Sequence, residues 1–316
     1  MKNSGITFKN LVLHMKCVRH FSEQSSFLIP WTKSPTEKNR ELFLNFMSKN
    51  SSVAVLTGAG VSTESGIPDY RSETGLYKRT KYRPIDYSTF LKNKAARIRY
   101  WARNYVGWPE FSSKEPNGTH FALQLYEAAG KVSGIITQNV DGLHHKASGH
   151  NIIELHGNAY WVKCLSCKNL IFRHDFQKIL DALNPSVQET GKIFVRPDGD
   201  VEIDESVYEN FKIPDCEKCG GILKPTIVFF GDNVPKVTVK KAENLIESSD
   251  ALLVMGTTLS TLSSLRIVTQ AFDLCKYICI VNLGETRGDK MADIVINAKC
   301  SEILPNYNRE LHAYRS

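Results

Sequence analysis

Two cysteine pairs constrain this chain more than any other feature of its sequence. Cys164-x-x-Cys167 and Cys216-x-x-Cys219 are separated by 48 residues. Two such knuckles supply four thiolates, the ligand set of a tetrahedral zinc ion. Four sulfur ligands leave no position for water or substrate, so one zinc bound there is structural. The fold must therefore close residues 164–219 into a loop tied at its base. A redox role is disfavoured, because neither pair opens a helix after a strand. The alternative is four unrelated buried cysteines. Cys17, Cys275, Cys279 and Cys300 stand outside the pattern, and eight cysteines in 316 residues are too few for a disulfide scaffold.

Around this loop the chain alternates short apolar runs with amphipathic ones. Strands are expected at Ser52–Thr57, Gly134–Thr137, Ala251–Met255, Tyr277–Val281 and Asp293–Ile296. Helices are expected at Glu37–Lys49, Phe121–Ala129, Val239–Ser248 and Ser263–Leu274. Such alternation argues an α/β fold with a doubly wound, parallel, Rossmann-like sheet. Two stretches break the rhythm, 70–117 and 161–221. They read as insertions, a helical cofactor-loop module and a zinc module, that together form a smaller second domain on a body spanning 36–316.

Residues 1–30 carry Lys2, Lys9, Lys16 and Arg19 against the single acid Glu23, which accounts for +3 of the net charge of +7. On a helical wheel Phe8, Leu11, Val12, Met15 and Val18 share one face, with the lysines beside it. This is the pattern of a mitochondrial transit peptide; the alternative is a disordered tail. The rest of the chain has only a mild basic excess and no concentrated basic face, so nucleic acid is not an expected partner. The one basic cluster, Lys78–Arg83, reads as a solvated loop. No run of 18 apolar residues exists to cross a membrane.

The first strand enters Gly58-Ala59-Gly60-Val61-Ser62. Glycines let backbone approach a pyrophosphate, and a following helix N-terminus favours its charge; a purely structural tight turn is the other reading. The third glycine of the dinucleotide fingerprint is replaced by Thr63, and the acid wanted about 20 residues on is absent. Both departures count against hydride transfer. Asn139 and Asp141 follow a strand end, where doubly wound sheets bind ligands. By spacing alone His144, His145 and His156 compete equally as a general base.

The run Gly58-Ala-Gly-Val-Ser-Thr-Glu-Ser-Gly-Ile-Pro-Asp-Tyr-Arg71 resembles the signature of the sirtuin family. Thr137-Gln-Asn-Val-Asp-Gly-Leu-His144, Glu154-Leu-His-Gly157, both knuckles, Leu223–Gly231 and Gly256-Thr-Thr-Leu259 follow in the family's order. Trp101–Trp108, Ala298–Cys300 and the sequence around Pro197–Asp200 are most similar to the mitochondrial class II, sirtuin-four type. The resemblance implies NAD as co-substrate for removal of acyl groups from protein lysines, with nicotinamide released and the acyl group passed to ADP-ribose. It selects His156 as general base, with Asn139 and Asp141 as catalytic neighbours. It implies that Gly58, Ala59 and Gly60 hold phosphates, and that Ile67, Asp69, Tyr70 and Arg71 lie on a loop near the nicotinamide. Thr137, Gln138, Asn139 and Val140 would face its ribose. Gly256, Thr257 and Thr258, with Asn282, Leu283, Gly284 and Cys300, would flank the adenosine half.

Val228, Phe229, Phe230 and Gly231 resemble the strand that pairs with substrate backbone. Tyr100 and Arg103 match a pair that takes the carboxylate of an acidic acyl chain; an exposed arginine on a helical insertion is the alternative. The implied partners are acylated mitochondrial proteins, and the implied location is the mitochondrial matrix. The expected function is NAD-dependent lysine deacylation, with acidic, branched or lipoyl chains preferred over acetyl. Mono-ADP-ribosyl transfer is the alternative use of the same site, followed by an NAD-sensing protein without catalysis and, last, a zinc-ribbon nucleic-acid binder. This chain departs from the family pattern at Tyr70, Thr258 and Asp232, and more widely over Leu259-Ser-Thr-Leu-Ser-Ser264. Oligomeric state and target proteins are not set by the sequence.

Overall fold

A computed structural model describes residues 34–71, 75–76, 84–187 and 195–304. The basic segment 1–30, Cys17 and the cluster Lys78–Arg83 lie outside the described residues. Ten helices and nine strands are described, here numbered in chain order. Helix α1 (Glu37–Lys49) is capped by Thr36, whose side chain accepts from the Asn39 amide. Strands β1 (Val53–Thr57), β2 (Val132–Thr137), β3 (Ile152–Glu154), β7 (Ala251–Met255), β8 (Tyr277–Asn282) and β9 (Ile294–Asn297) form one sheet. Its order is β3-β2-β1-β7-β8-β9, and every pairing is parallel. Among these six strands that is the doubly wound order 3-2-1-4-5-6.

The sheet is buried on both faces, which is why its strands read as continuous apolar runs. Val53 and Val55 of β1, with Leu253 and Met255 of β7, point to a layer holding α1 and α4 (Gly118–Ala128). Ala54 and Leu56, with Leu252 and Val254, point to the opposite layer of α8 (Lys236–Ser248) and α9 (Leu262–Asp273). Helix α1 has the expected bounds, whereas α4 and α8 begin three residues earlier than expected and α9 is shifted by one. Strand β3 was not expected; it is only three residues long, too short to give a period.

The other elements are α2 (Tyr87–Lys92), α3 (Lys94–Ser112), α5 (Leu143–Lys146), α6 (Arg173–Leu183), α7 (Glu205–Glu209) and α10 (Cys300–Ile303). Strands β4 (Trp161–Cys164), β5 (Leu170–Phe172) and β6 (Leu223–Pro225) form a separate antiparallel sheet, ordered β5-β4-β6. These three strands were also not expected. Their shortness hides the alternation that marks longer strands. Trp101 of α3 packs with Val162, Phe176, Leu180 and Leu223, and its indole N–H donates to the Leu223 carbonyl at 3.2 Å. Arg173, almost fully buried, donates to the Asn104 side chain and to Gln177 and lies 4.5 Å from the Trp108 ring centroid. Helix α3 and the small sheet thus share one core.

Candidate functional site

Strand order reverses direction between β1 and β7, and the turns leaving those two strands meet there. The Gly58 amide donates to the Met255 carbonyl at 3.1 Å and the Gly60 amide to the Gly256 carbonyl at 2.9 Å. A Cβ on Gly60 would lie 2.8 Å from the Gly256 Cα, and one on Gly256 (φ +59°) 2.6 Å from the Val61 amide. These glycines are required because two backbones interlock. No regular α-helix follows the loop; two 3-10 turns do, Ala59–Val61 and Thr63–Ser65. The helix-terminus argument for phosphate therefore does not apply, since a helix this short aligns few peptide dipoles.

The end of β2 supplies the next layer. Gln138 donates through Nε2 to the Thr257 hydroxyl at 3.0 Å, tying the β2 turn to the β7 turn. Asn139 donates through Nδ2 to the Gly58 carbonyl and to the Ser62 hydroxyl, each at 3.1 Å. Ser62 donates onward to Asp141 Oδ2 at 2.7 Å, and the Leu143 amide donates to Oδ1 at 2.9 Å. Burial raises the Asp141 carboxyl above its usual range, opposed by the Leu143 amide and the Ser62 hydroxyl, which favour its charged form. Ser62 was given no role from the sequence. Its signal was present as the polar residue closing an otherwise apolar glycine turn.

Just past β3, His156 is half-buried. Its Nδ1 lies 3.1 Å from the Gln138 carbonyl and its Nε2 2.8 Å from the Ser263 hydroxyl. A carbonyl only accepts, so Nδ1 carries the proton in the neutral ring and Nε2 keeps its lone pair. Burial pulls the ring below its usual pKa, and the Gln138 carbonyl opposes this. The ring is thus neutral near pH 7, the state a general base requires. The competing histidines are placed otherwise. His144 is buried with Nε2 3.0 Å from the Thr57 hydroxyl, and His145 pairs with Glu154 at 3.2 Å. Neither lines the cavity described next.

A cavity of about 1060 Å³ runs along the carboxyl ends of the strands, at the upper end of ligand-site sizes. Its walls include Ala59, Gly60, Ile67, Asp69, Tyr70 and Arg71 from the first turn, and Gln138, Asn139, Val140, Asp141 and His156 from the β2 and β3 ends. Gly256, Thr257, Thr258, Asn282, Leu283 and Cys300 border its far half, and Val228, Phe229, Phe230 and Gly231 border the near one. Gly58, Thr137 and Gly284 do not line it. The Cys300 thiol is pushed up to about 12, first by burial, so it is a packing group and not a nucleophile. Cys279 is buried on β8 and likewise pushed up to about 12 by burial, while Cys275 is exposed.

Phe230 makes a parallel bridge to Asp86, and its carbonyl accepts from the Tyr87 amide at 2.9 Å. The Phe229 ring packs 5.2 Å from both Phe90 and Tyr100. Beneath it lies the buried Lys224 ammonium, 4.2 Å from the ring centroid and pulled down to about 8 by burial. Tyr100 reaches the cavity wall; Arg103 does not. Its Nε lies 2.7 Å from the Val201 carbonyl and 2.8 Å from Asp200, and Asp200 also pairs with the buried Arg196 at 3.2 Å. Beside Tyr100 the wall carries Pro197 and the Asp198 carboxyl, which burial and then Asp200 raise.

The four knuckle cysteines meet away from the cavity lining, all Sγ atoms within 4.8 Å of one another. Cys164 lies 3.5 Å from Cys219, and Cys167 3.7 Å from Cys216. A tetrahedral ion with bonds of about 2.3 Å needs sulfurs about 3.8 Å apart, so the tetrad fits zinc. Each knuckle turns through a left-handed residue just after its second cysteine, Lys168 (φ 64°) and Gly220 (φ 69°).

This geometry can be set beside known proteins. The model of the Sir2 family matches residues 58–263. The Drosophila melanogaster protein named NAD-dependent protein deacylase Sirt4 is 50% identical over 88% of this chain and 89% of its own length. The Homo sapiens protein named NAD-dependent protein lipoamidase sirtuin-4, mitochondrial, is 44% identical over 85% of each. A solved structure titled as Sir2 with a p53 peptide and NAD+ superposes with a TM-score of 0.68 at 27% identity, over 87% of this chain and 99% of that one. The interlocked glycine turns, the shared cavity and the cysteine tetrad lie on a chain that belongs to the Sir2 family, the sirtuins.

Proposed function

We propose that the protein is an NAD-dependent protein lysine deacylase acting on acylated mitochondrial proteins in the matrix. One observation carries the reading: a neutral, oriented histidine, His156, opens onto the same cavity as the Gly58–Gly60 turn and the Asn139–Ser62–Asp141 network.

NAD, when bound, supplies the ribose carbon that receives the acyl oxygen as nicotinamide leaves. The polar turns at the β1, β2 and β7 ends are suited to hold it, because they offer backbone, amide and hydroxyl groups around an elongated cavity. Ala59 and Gly60 would bind phosphate, and Asp69, Tyr70 and Arg71 would enclose the nicotinamide side. Gly256, Thr257, Thr258, Asn282, Leu283 and Cys300 would border the adenosine side. Asn139, fixed by Gly58 and Ser62, orients the ribose. Asp141 anchors Ser62 and, with it, Asn139. His156 accepts a proton at Nε2 from a ribose hydroxyl, with Gln138 fixing the tautomer at Nδ1. Val228, Phe229, Phe230 and Gly231 form the edge beside which the substrate backbone lies.

The acyl group points toward Tyr100. Arg103 is already held by Asp200 and the Val201 carbonyl, and the wall beside Tyr100 presents Asp198. A carboxylate there would add a further acid to the buried Asp198 and Asp200 pair, with Arg103 already engaged. The acyl class favoured is therefore long and uncharged, of the lipoyl kind named for the human relative, and not acidic.

The test incubates protein lacking residues 1–30 with NAD and peptides bearing acetyl, glutaryl, branched glutaryl or lipoyl lysine. Mass spectrometry follows free lysine, nicotinamide and acyl-ADP-ribose. Deacylated peptide and acyl-ADP-ribose should form together, fastest with lipoyl lysine, and both should vanish in His156→Ala. Nicotinamide released from fully acylated peptides would instead indicate ADP-ribosyl transfer or hydrolysis.

A further inference from the structure

The run Leu259–Ser264 carries three of the hydroxyls that line the cavity, those of Ser260, Thr261 and Ser263. Thr261 caps α9, with its side chain accepting from the Ser264 amide. That fixes the first turn of a 12-residue helix and aims Ser263, its second residue, at His156. The Ser263 hydroxyl lies 2.8 Å from His156 Nε2 and 3.3 Å from Thr261 Oγ1. It therefore has two acceptors and a single proton to donate. Thr261 lies in turn 2.7 Å from the Ser264 hydroxyl and 3.4 Å from Gln138 Oε1. Gln138 is the residue whose carbonyl holds the other ring nitrogen. His156 is thus gripped at both nitrogens, and both grips belong to one polar cluster.

We propose that Ser263 is a positioning residue for the general base, working through His156 and not on the substrate itself. In the resting ring it donates to the Nε2 lone pair, which holds the imidazole in plane with its base atom toward the cavity. When a ribose hydroxyl arrives at Nε2, the Ser263 proton turns to Thr261. Once Nε2 has taken the substrate proton, the ring carries two N–H donors and a positive charge. The Gln138 carbonyl accepts one N–H, and the Ser263 oxygen, a hydroxyl able to accept as well as donate, accepts the other. Hydrogen bonds to a charged donor are about twice as strong as neutral ones. The contact therefore stabilises the protonated ring more than the resting one.

This inference rests on the deacylase reading for its kinetic arm, but its structural arm does not. The structural arm is the long-range 1H–15N spectrum of protein labelled at histidine nitrogen. Wild type should show His156 in the Nδ1–H form, and Ser263→Ala should move the Nε2 resonance downfield as its hydrogen bond is lost. The kinetic arm separates two steps. Exchange of labelled nicotinamide into NAD reads cofactor cleavage, which precedes the proton transfer to His156. Formation of acyl-ADP-ribose reads the later step. Ser263→Ala should slow acyl-ADP-ribose formation about tenfold or more with exchange within twofold of wild type, and Ser263→Thr should restore most of the loss. An unshifted Nε2 resonance overturns the proposal whatever the activity. Equal loss of exchange and product formation, or no loss of either, also overturns it. If wild type itself deacylates no peptide, the deacylase reading fails while the spectrum still decides whether Ser263 holds the ring.

Discussion

Acidification should unfold this protein through a histidine pair behind the site. His120 on α4 and His144 on α5 are both buried, with ring centroids 4.8 Å apart. His120 Nδ1 accepts from the Asn117 amide, and His144 Nε2 meets the Thr57 hydroxyl at the mouth of the glycine turn. Burial pulls the His144 ring down to about 3 and the His120 ring well below its usual value, and each is lowered further by a neighbouring histidine. Both folded values are depressed, so the unfolded chain binds more protons. The stability they contribute is present above about pH 6.5 and is lost as pH falls toward the folded values. Between pH 7.5 and 5.5 each ring costs about 1.4 kcal/mol, or about 3 kcal/mol for the pair. That is a large part of the 5–15 kcal/mol typical of a folded domain.

Urea unfolding followed by circular dichroism at the two pH values reads this loss. The midpoint should fall by about 1 M more in wild type than in a double variant, His120→Phe with His144→Gln, which removes both titrating groups. Each single variant should recover about half. Zinc ligands also protonate in acid, but they do so equally in all four proteins and cancel in the comparison. An identical pH slope in wild type and double variant would refute the reasoning.

Three further outcomes are expected. A Cβ at Gly157 (φ +78°) would lie 2.1 Å from the Thr226 carbonyl oxygen, so Gly157→Ala should displace the turn carrying His156; activity should fall at least tenfold and stability by about 2 kcal/mol, measured by turnover and thermal melting. Lys168 holds a left-handed backbone at φ 64°, so Lys168→Gly should stabilise by up to about 1 kcal/mol, read as a raised melting temperature of the zinc-loaded protein. A strong chelator should release one zinc per chain to a colorimetric dye and lower the melting temperature by several degrees, because the tetrad ties β4 to the loop after α7.

The sequence alone determined the frame. Apolar runs on both faces of each strand, the turn glycines and the paired cysteines are local signals, and each survives translation into three dimensions because it depends on backbone period or ligand spacing. The doubly wound sheet and the tetrad are therefore legible before any coordinate. Strands of three or four residues, β3 through β6, carry no readable period, and only their partners make them strands. The ranking of His144, His145 and His156 was equally closed to spacing; it turns on burial and on which carbonyl or hydroxyl meets each ring. Arg103 shows the same limit. Its sequence position suits an acyl carboxylate, but Asp200, 97 residues away along the chain, draws its guanidinium aside. Ser263 met His156 only when the β7 turn and α9 folded over the end of β3. Charge pairing and hydrogen-bond geometry depend on distances of a few ångströms between remote segments, and those distances exist only in the tertiary structure.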